Sequence, residues 1–376
     1  MNRRSAAKLD PGAIVASRYR IEGTVGHGGF GAIYEATQLA TSRRVALKVL
    51  HADLISSESD AKRFQREAAL VQQLHHENVV QLLDYGRTEA DLPFIAFELL
   101  RGRSLAEVLE QEGALSPLRV AEIAGGMLRA LDAAHQLGIV HRDIKPGNVF
   151  LCEGTPSQTK VLDFGVAKSL GAEQAGQTNL TRDGQLVGTP YYMAPEQVRG
   201  LDVSPQTDLY AVGLVMAEML AGERVVAAPN LLAVYMAQVD EGPVDLPNAV
   251  TQTPLCLVIE RAIEKPLERR FRSAKQMLAG VETALAVLRN PSPQRDVTET
   301  GGTEVMPDLR EIDEMVAPPP GLRPAPPAAG KPNGTVVLDA VARTKPSDDD
   351  PESVKATRLV EASAAAAAAR RAAAAQ

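Results

Sequence analysis

Cysteine is scarce in this chain. Cys152 and Cys256 are the 2 thiols in 376 residues, far apart and without metal-ligand spacing, so they read as reduced structural side chains of a cytoplasmic protein. Positive charge is not in excess either. Against 47 Asp and Glu there are 40 Lys and Arg, a net charge of −7, which argues against nucleic acid as a main partner. A membrane span needs about 18 consecutive apolar residues, and no such run occurs. The nearest approach is the alanine tract at 364–375, which is too weakly hydrophobic to count. The first ten residues are basic and have no apolar centre, so they do not read as a secretion signal.

What is present is enough for a large core: 45% of the residues are apolar. The length suits two lobes, or a domain with a tail. From Asn290 the composition shifts to Pro, Ala, Gly and Thr, with Pro318-Pro319-Pro320 and Asp348-Asp349-Asp350. Such a segment cannot bury enough apolar surface to fold, so residues 289–376 are expected to be a disordered Pro/Ala-rich tail. The tail holds three similar tetrads, beginning at Thr303, Thr335 and Thr357.

The most informative stretch is residues 139–165, where apolar residues lead twice into polar clusters. The first cluster is His141, Arg142, Asp143, Lys145 and Asn148; the second is Asp163, followed by Phe164 and Gly165. Residues 149–151 and 160–162 read as short strands joined by a loop rich in Gly, Pro and Ser. A hairpin brings its ends together and so puts Asn148 beside Asp163. Two hard oxygen ligands at one point suit Mg²⁺, which takes few protein ligands and completes its shell with water and phosphate. Asp143 and Lys145 then face the same metal-bound phosphate.

Four earlier segments bear on the same chemistry. Gly26-His27-Gly28-Gly29-Phe30-Gly31 is followed by residues 32–36, which have strand character. A strand–glycine turn–strand hairpin can lay its backbone N–H groups over phosphates. Residues 45–50 form an apolar strand that puts Ala46 and Lys48 on one face. A helix follows, with Phe64, Ala68 and Val71 at helical spacing and Glu67 on the same inward face. A carboxylate there is costly unless paired, which makes Glu67 the expected partner of Lys48. Residues 91–105 read as a strand running into a linker. Downstream, Ser116-Pro117 starts a helix with a hydroxyl cap and a first-turn proline, and Gly138 closes it. Gly125-Gly126 inside that helix has no reason visible in the sequence beyond close packing. Residues 214–220 are apolar on nearly every side and should be a buried helix, with Asp208 at its start able to cap the loop around His141.

His141-Arg142-Asp143-x-Lys145-x-x-Asn148 followed by Asp163-Phe164-Gly165 resembles the catalytic and metal loops of eukaryotic-type protein kinases. The resemblance covers about residues 18–288. It implies an α+β, protein-kinase-like bilobal fold: a flexible N-terminus at 1–17, a small β-rich N-lobe at 18–98 and a larger α-helical C-lobe at 99–288. The cofactors it implies are ATP and Mg²⁺. Nucleotide contacts would come from Val25, Gly26, His27, Gly28, Gly29, Phe30, Gly31, Ala32, Ile33 and Ala46. Lys48 would hold the α- and β-phosphates and pair with Glu67. Phe97 matches the gatekeeper, and the Glu98 carbonyl and Leu100 N–H would meet adenine. Asp143 would orient and deprotonate the acceptor hydroxyl, Lys145 would stabilise the transferred phosphoryl group, and Asn148 and Asp163 would hold the metal.

Lys145, two residues after Asp143, and Gly188-Thr189-Pro190-Tyr191 before Ala194-Pro195-Glu196 resemble the serine/threonine class, and the flanks resemble soluble bacterial members. The partners implied are proteins with Ser/Thr acceptors, including the chain itself. Gly147 stands where kinases that select arginine near the acceptor often have Glu. Glu196 should pair with Arg269 or Arg270. Regulation would run through phosphorylation of Thr181 first and Thr178 second, each able to pair with Arg142. The tail threonines would be sites read by a phosphothreonine-binding partner. The alternative, an inactive kinase-fold scaffold with a recruiting tail, would lack one of Lys48, Asp143 or Asp163, and all three are present. A small-molecule phosphotransferase would have no need of the segment at 188–196.

Overall fold

Side-chain alternation builds the first half of the molecule. In the computed structural model, which describes residues 9–28, 31–52, 57–154, 158–164 and 190–290, six antiparallel strands form one sheet. They are β1 (Ile14–Val15), β2 (Tyr19–Gly28), β3 (Gly31–Gln38), β4 (Arg43–Leu50), β5 (Leu82–Arg87) and β6 (Pro93–Glu98), in the order β1-β2-β3-β4-β6-β5. Along β4, Val45, Leu47 and Val49 are buried while Ala46 and Lys48 are half-buried, the period of two read from the sequence. The buried set packs with Tyr19, Ile21, Tyr34 and Phe94 into a core of its own. From the same sheet, Leu50, Leu82 and Ile95 instead join Phe64, Ala68 and Val71 of helix α1 (Glu58–Gln72) in the main core. α1 starts at Ser57, whose hydroxyl accepts from the Asp60 N–H while the Asp60 carboxylate accepts from the Ser57 N–H.

The flexible lead expected at 1–17 is too long. Residues 14–15 pair with β2, Val15 is buried, and Glu89 accepts hydrogen bonds from the N–H groups of Ala16 and Ser17 at 3.0 and 2.9 Å. The apolar Ile14-Val15 pair extends the sheet edge, so the fold begins several residues before 18.

The second half is mostly helical: α2 (Leu105–Glu112), α3 (Pro117–Gln136), α4 (Pro205–Ala221), α5 (Leu231–Val239), α6 (Cys256–Ala262) and α7 (Ala274–Arg289). A small sheet, β7 (Gly102–Ser104), β8 (Val149–Cys152) and β9 (Thr159–Val161), lies against α3. α4 is buried on nearly all sides, as its unbroken apolar run predicts. The α3 glycine pair divides in two. A Cβ on Gly126 would come within 2.7 Å of the Thr159 Cβ, so glycine is what lets α3 approach β9. A Cβ on Gly125 would meet only ordinary contacts. Among the described residues no helix is long and apolar enough to cross a membrane. Gly29, Phe30, Gly165, Thr178, Thr181, Thr189 and the tail threonines lie outside the described residues.

Candidate active site

The loop between α3 and β8 is held from beneath by one carboxylate. Asp208, in the first turn of α4 and 1% exposed, accepts from the His141 N–H and the Arg142 N–H, each at 2.8 Å. The same Asp208 oxygen that takes the His141 N–H lies 2.8 Å from Nε2 of His135 at the end of α3. This anchoring offsets a local cost. Arg142 sits at φ 65°, in the left-handed region, where a residue with a side chain is less stable by about 1–2 kcal/mol. Asp163 also takes positive φ, at 54°. The capping role expected of Asp208 is therefore present, and His135 is an addition that no motif pointed to.

His141 joins the two polar clusters. Its ring is fully buried, its Nε2 donates to the Leu162 carbonyl at 2.7 Å, and its Nδ1 accepts from the Asp143 N–H at 3.2 Å. These partners assign the neutral tautomer with the proton on Nε2. The ring packs edge-on against Phe164 at 4.7 Å. Asp143 and Asp163 are thus fixed to one another through a single imidazole and its neighbour.

Around Asp143 the side chains converge. Asn148 Nδ2 donates to the Asp143 carbonyl at 2.8 Å and to its Oδ2 at 3.0 Å, and Lys145 Nζ lies 3.0 Å from the same Oδ2. The hairpin forms as expected: Val149 faces Val161, and the Leu162 N–H bonds the Asn148 carbonyl. With its amide nitrogen turned to Asp143, Asn148 retains its side-chain oxygen as a donor atom, and Asp163 adds a carboxylate. One amide oxygen and one carboxylate suit a hard cation that keeps water and phosphate as its other ligands. The residues present fit Mg²⁺.

Lys48 departs from expectation in its partner. Its Nζ lies 2.7 Å from Asp163 Oδ2, with the lysine side chain 12% exposed and the aspartate 41%. The sequence reading paired Lys48 with Glu67. Glu67 is on α1, half-buried beside Phe64 and Ala68. The carboxylate that meets Lys48 in this structure comes from 115 positions further along the chain, a pairing that strand and helix periodicity cannot anticipate.

Three of the residues expected to meet nucleotide, Ile33, Ala46 and Lys48, share one face. Ile33 stands opposite Lys48 in the β3–β4 register and Ala46 opposite Phe97 in β4–β6, so these side chains point the same way. Val25 and Gly26 lie on β2, and Val25 is exposed at the end of the sheet. Gly28 pairs with Gly31 where β2 turns into β3; His27 pairs with Ala32 beside them. At Gly31 φ is 156°, and a Cβ would fall 2.1 Å from the Val49 carbonyl oxygen, so only glycine fits. Period two turns the Ala32 side chain to the opposite face, 4% exposed among Tyr34 and Val49, so what Ala32 can offer a nucleotide is its backbone. Glu98 ends β6, and Leu100 follows in the linker. The Glu98 side chain has a task that was not foreseen: Oε1 accepts from Lys160 Nζ and from the Gln81 N–H, both at 2.8 Å. The signal for it is a lysine, Lys160, at the centre of the short strand β9.

Glu196 lies in a single helical turn, Pro195–Val198, and its partner is Arg270. The pair is bidentate at 2.9 Å for both bonds, with the arginine side chain 0% and the glutamate 4% exposed. Arg269 is mostly exposed and lies 4.0 Å from Glu264.

Residues 19–277 match the family model described as "Protein kinase domain". The serine/threonine-protein kinase pkn3 of Myxococcus xanthus is 41% identical over 213 residues, which cover 56% of this chain and 39% of that protein. The serine/threonine-protein kinase PknA of Mycobacterium tuberculosis is 34% identical over 289 residues, 76% of this chain and 65% of that one. The chain therefore spans 39 to 65% of the length of these relatives. The crystal structure of the Mycobacterium tuberculosis PknI kinase domain superposes with a TM-score of 0.58 at 25% identity, covering 74% of this chain and 100% of that one. With the family model matched over residues 19–277, well over half of its length, this chain belongs to the protein kinase domain family.

Proposed function

We propose that the protein transfers the γ-phosphoryl group of ATP, with Mg²⁺, to serine and threonine hydroxyls of proteins, its own included, as a cytoplasmic signalling enzyme. The observation that carries this is the convergence on Asp143. Its carboxylate is held by Asn148 and Lys145 on a loop clamped to α4, so it is oriented before any substrate arrives. Asp143 accepts the hydroxyl proton as the bond to phosphorus forms. Lys145, beside it, stabilises charge on the transferring group. Asn148 and Asp163 would hold Mg²⁺, which would supply charge neutralisation at the phosphates. In this chemistry the protein contributes chiefly positioning and electrostatic stabilisation. A scaffold reading has no observation in its favour, since Lys48, Asp143 and Asp163 are all present, with Lys48 against Asp163 and Lys145 against Asp143.

The test is incubation of the purified chain with γ-labelled ATP, Mg²⁺ and a generic protein acceptor, followed by phosphoamino-acid analysis. Label on serine and threonine is expected; transfer to tyrosine, or to small molecules alone, overturns the reading. Lys48→Met serves as the blank. It should stay folded and lose at least about a hundredfold in rate at saturating ATP, because it removes a preorganised charge from the phosphates. Glu67→Gln should also slow transfer if that carboxylate takes Lys48 over from Asp163 when nucleotide and metal bind. An unaffected Glu67→Gln beside a dead Lys48→Met would assign Lys48 another partner during turnover.

A further inference from the structure

Pro190–Tyr192 forms a single 3₁₀ turn at the edge of the active site. Tyr192 and Met193 line a crevice together with Asp143 and Ile144, and Gln197 just beyond donates to the Arg142 carbonyl at 3.0 Å. A polypeptide whose hydroxyl reaches Asp143 therefore runs its neighbouring residues past this turn, each about 3.3–3.6 Å further along. Three residues cannot hold their own position. Among the described residues the backbone bond of the turn is internal, from the Met193 N–H to the Pro190 carbonyl. Its outside ties are side chains: the Tyr192 hydroxyl donates to Glu218 at 2.5 Å, and Gln238 of α5 reaches the main chain.

Gln238 is 0% exposed. Its Nε2 donates to the Pro190 carbonyl at 3.1 Å and to the Tyr191 carbonyl at 3.0 Å, so both amide protons end on consecutive carbonyls. Two acceptors on that side fix which way the amide faces. Oε1 accepts from the Tyr210 hydroxyl at 2.7 Å. Tyr210, buried in α4, accepts in turn from Lys265 Nζ at 3.2 Å. The same ammonium donates to the carbonyls of Ala237 and Gln238 at 3.0 and 3.1 Å. Those carbonyls belong to the last turn of α5, where a helix leaves its acceptors without internal partners and favours a cation. Lys265, Tyr210 and Gln238 thus close a ring of hydrogen bonds that fixes Gln238 by its backbone and its amide together. Bonds in such a ring strengthen one another.

We infer that Gln238 is a positioning residue for transfer: locked by Tyr210 and Lys265, it holds the Pro190–Tyr192 turn in place beside Asp143 and so governs how tightly a protein acceptor binds. This rests on the protein-kinase reading. It goes further by tying acceptor affinity to a buried side chain of α5 that touches neither nucleotide nor reacting atoms.

The test is steady-state kinetics of the full chain with Mg²⁺, varying ATP and a generic protein acceptor separately. Gln238→Met has nearly the same length and volume and removes only the amide. It should raise the KM for the acceptor about tenfold or more, the scale of losing hydrogen bonds to two carbonyls, with the KM for ATP within about twofold of wild type. Lys265→Met, at a half-buried position, should shift the acceptor KM the same way by about threefold. The double variant should resemble Gln238→Met alone, because both residues act through one ring. If Gln238→Met does not fold, Lys265→Met decides by the same split between the two KM values. A Gln238→Met enzyme that only lowers the unfolding midpoint, or raises both KM values alike, overturns the inference and leaves the kinase reading intact. A double variant whose shift is the product of the single ones removes the ring. A wild type that transfers to no protein at all removes the inference and the kinase reading together.

Discussion

Asp143→Asn should purify with the unfolding midpoint of wild type and transfer phosphate about 10²–10⁴-fold more slowly, the range a positioned general base supplies. Asparagine has nearly the same shape, and its oxygen can still accept from Asn148 Nδ2 and Lys145 Nζ, which lie 3.0 Å from the carboxylate now. The loop keeps its clamp, because His141 and Arg142 bond Asp208 through backbone groups that the substitution does not touch. What is lost is the acceptor for the hydroxyl proton and one unit of negative charge. Initial rates at saturating ATP, with urea unfolding of the same preparation, separate chemistry from folding. Turnover within about tenfold of wild type would remove Asp143 from the role of base.

Arg270→Ala should destabilise the fold by about 3–5 kcal/mol, the cost of leaving a buried carboxylate without its cation. Glu196 would keep the Thr207 hydroxyl at 2.8 Å but lose the cation that holds it. Arg270 also donates to the carbonyls of Glu264 and Lys265 at 2.6 and 2.9 Å and stacks over Tyr210 at 4.7 Å, so Arg270→Lys should rescue little of the loss. Equilibrium urea unfolding measures both. The pair also sets a pH dependence. Burial alone would raise the Glu196 carboxyl, but the Arg270 hydrogen bonds and charge outweigh it and hold the group below the usual carboxylate range. A carboxyl whose folded pKa is depressed stabilises the fold above its unfolded pKa and loses that contribution as pH falls towards the folded value. Wild type should therefore lose stability below the normal glutamate range more steeply than Glu196→Gln. A variant Arg270→Ala within about 1 kcal/mol of wild type would show that the pair is replaceable by packing.

Much of this site could be read from residue order, because its parts are local. Asn148 and Asp163 flank a hairpin of two short strands, and strand composition with a Gly/Pro/Ser loop is enough to place that hairpin. Ser57 and Ser116 cap their helices by rules that reach three residues along the chain. The illegible parts are contacts between distant segments. Whether Arg269 or Arg270 answers Glu196 depends on which side chain a single 3₁₀ turn, Leu267–Arg269, directs inward. Lys48 meets Asp163, Glu98 meets Lys160, and Gly126 yields to Thr159 only because separate elements pack together.

The Asp208 clamp has a consequence for how the molecule breathes. Arg142 is exposed on the surface, where amide hydrogens ordinarily trade with solvent through small local openings. Yet its N–H and that of His141 end on a carboxylate rooted in the most buried helix of the fold. Those two protons can leave only when the first turn of α4 comes away from the loop. In hydrogen–deuterium exchange the pair should therefore fall among the slowest amides of the protein, tracking global unfolding, although they belong to a loop at the mouth of the active site.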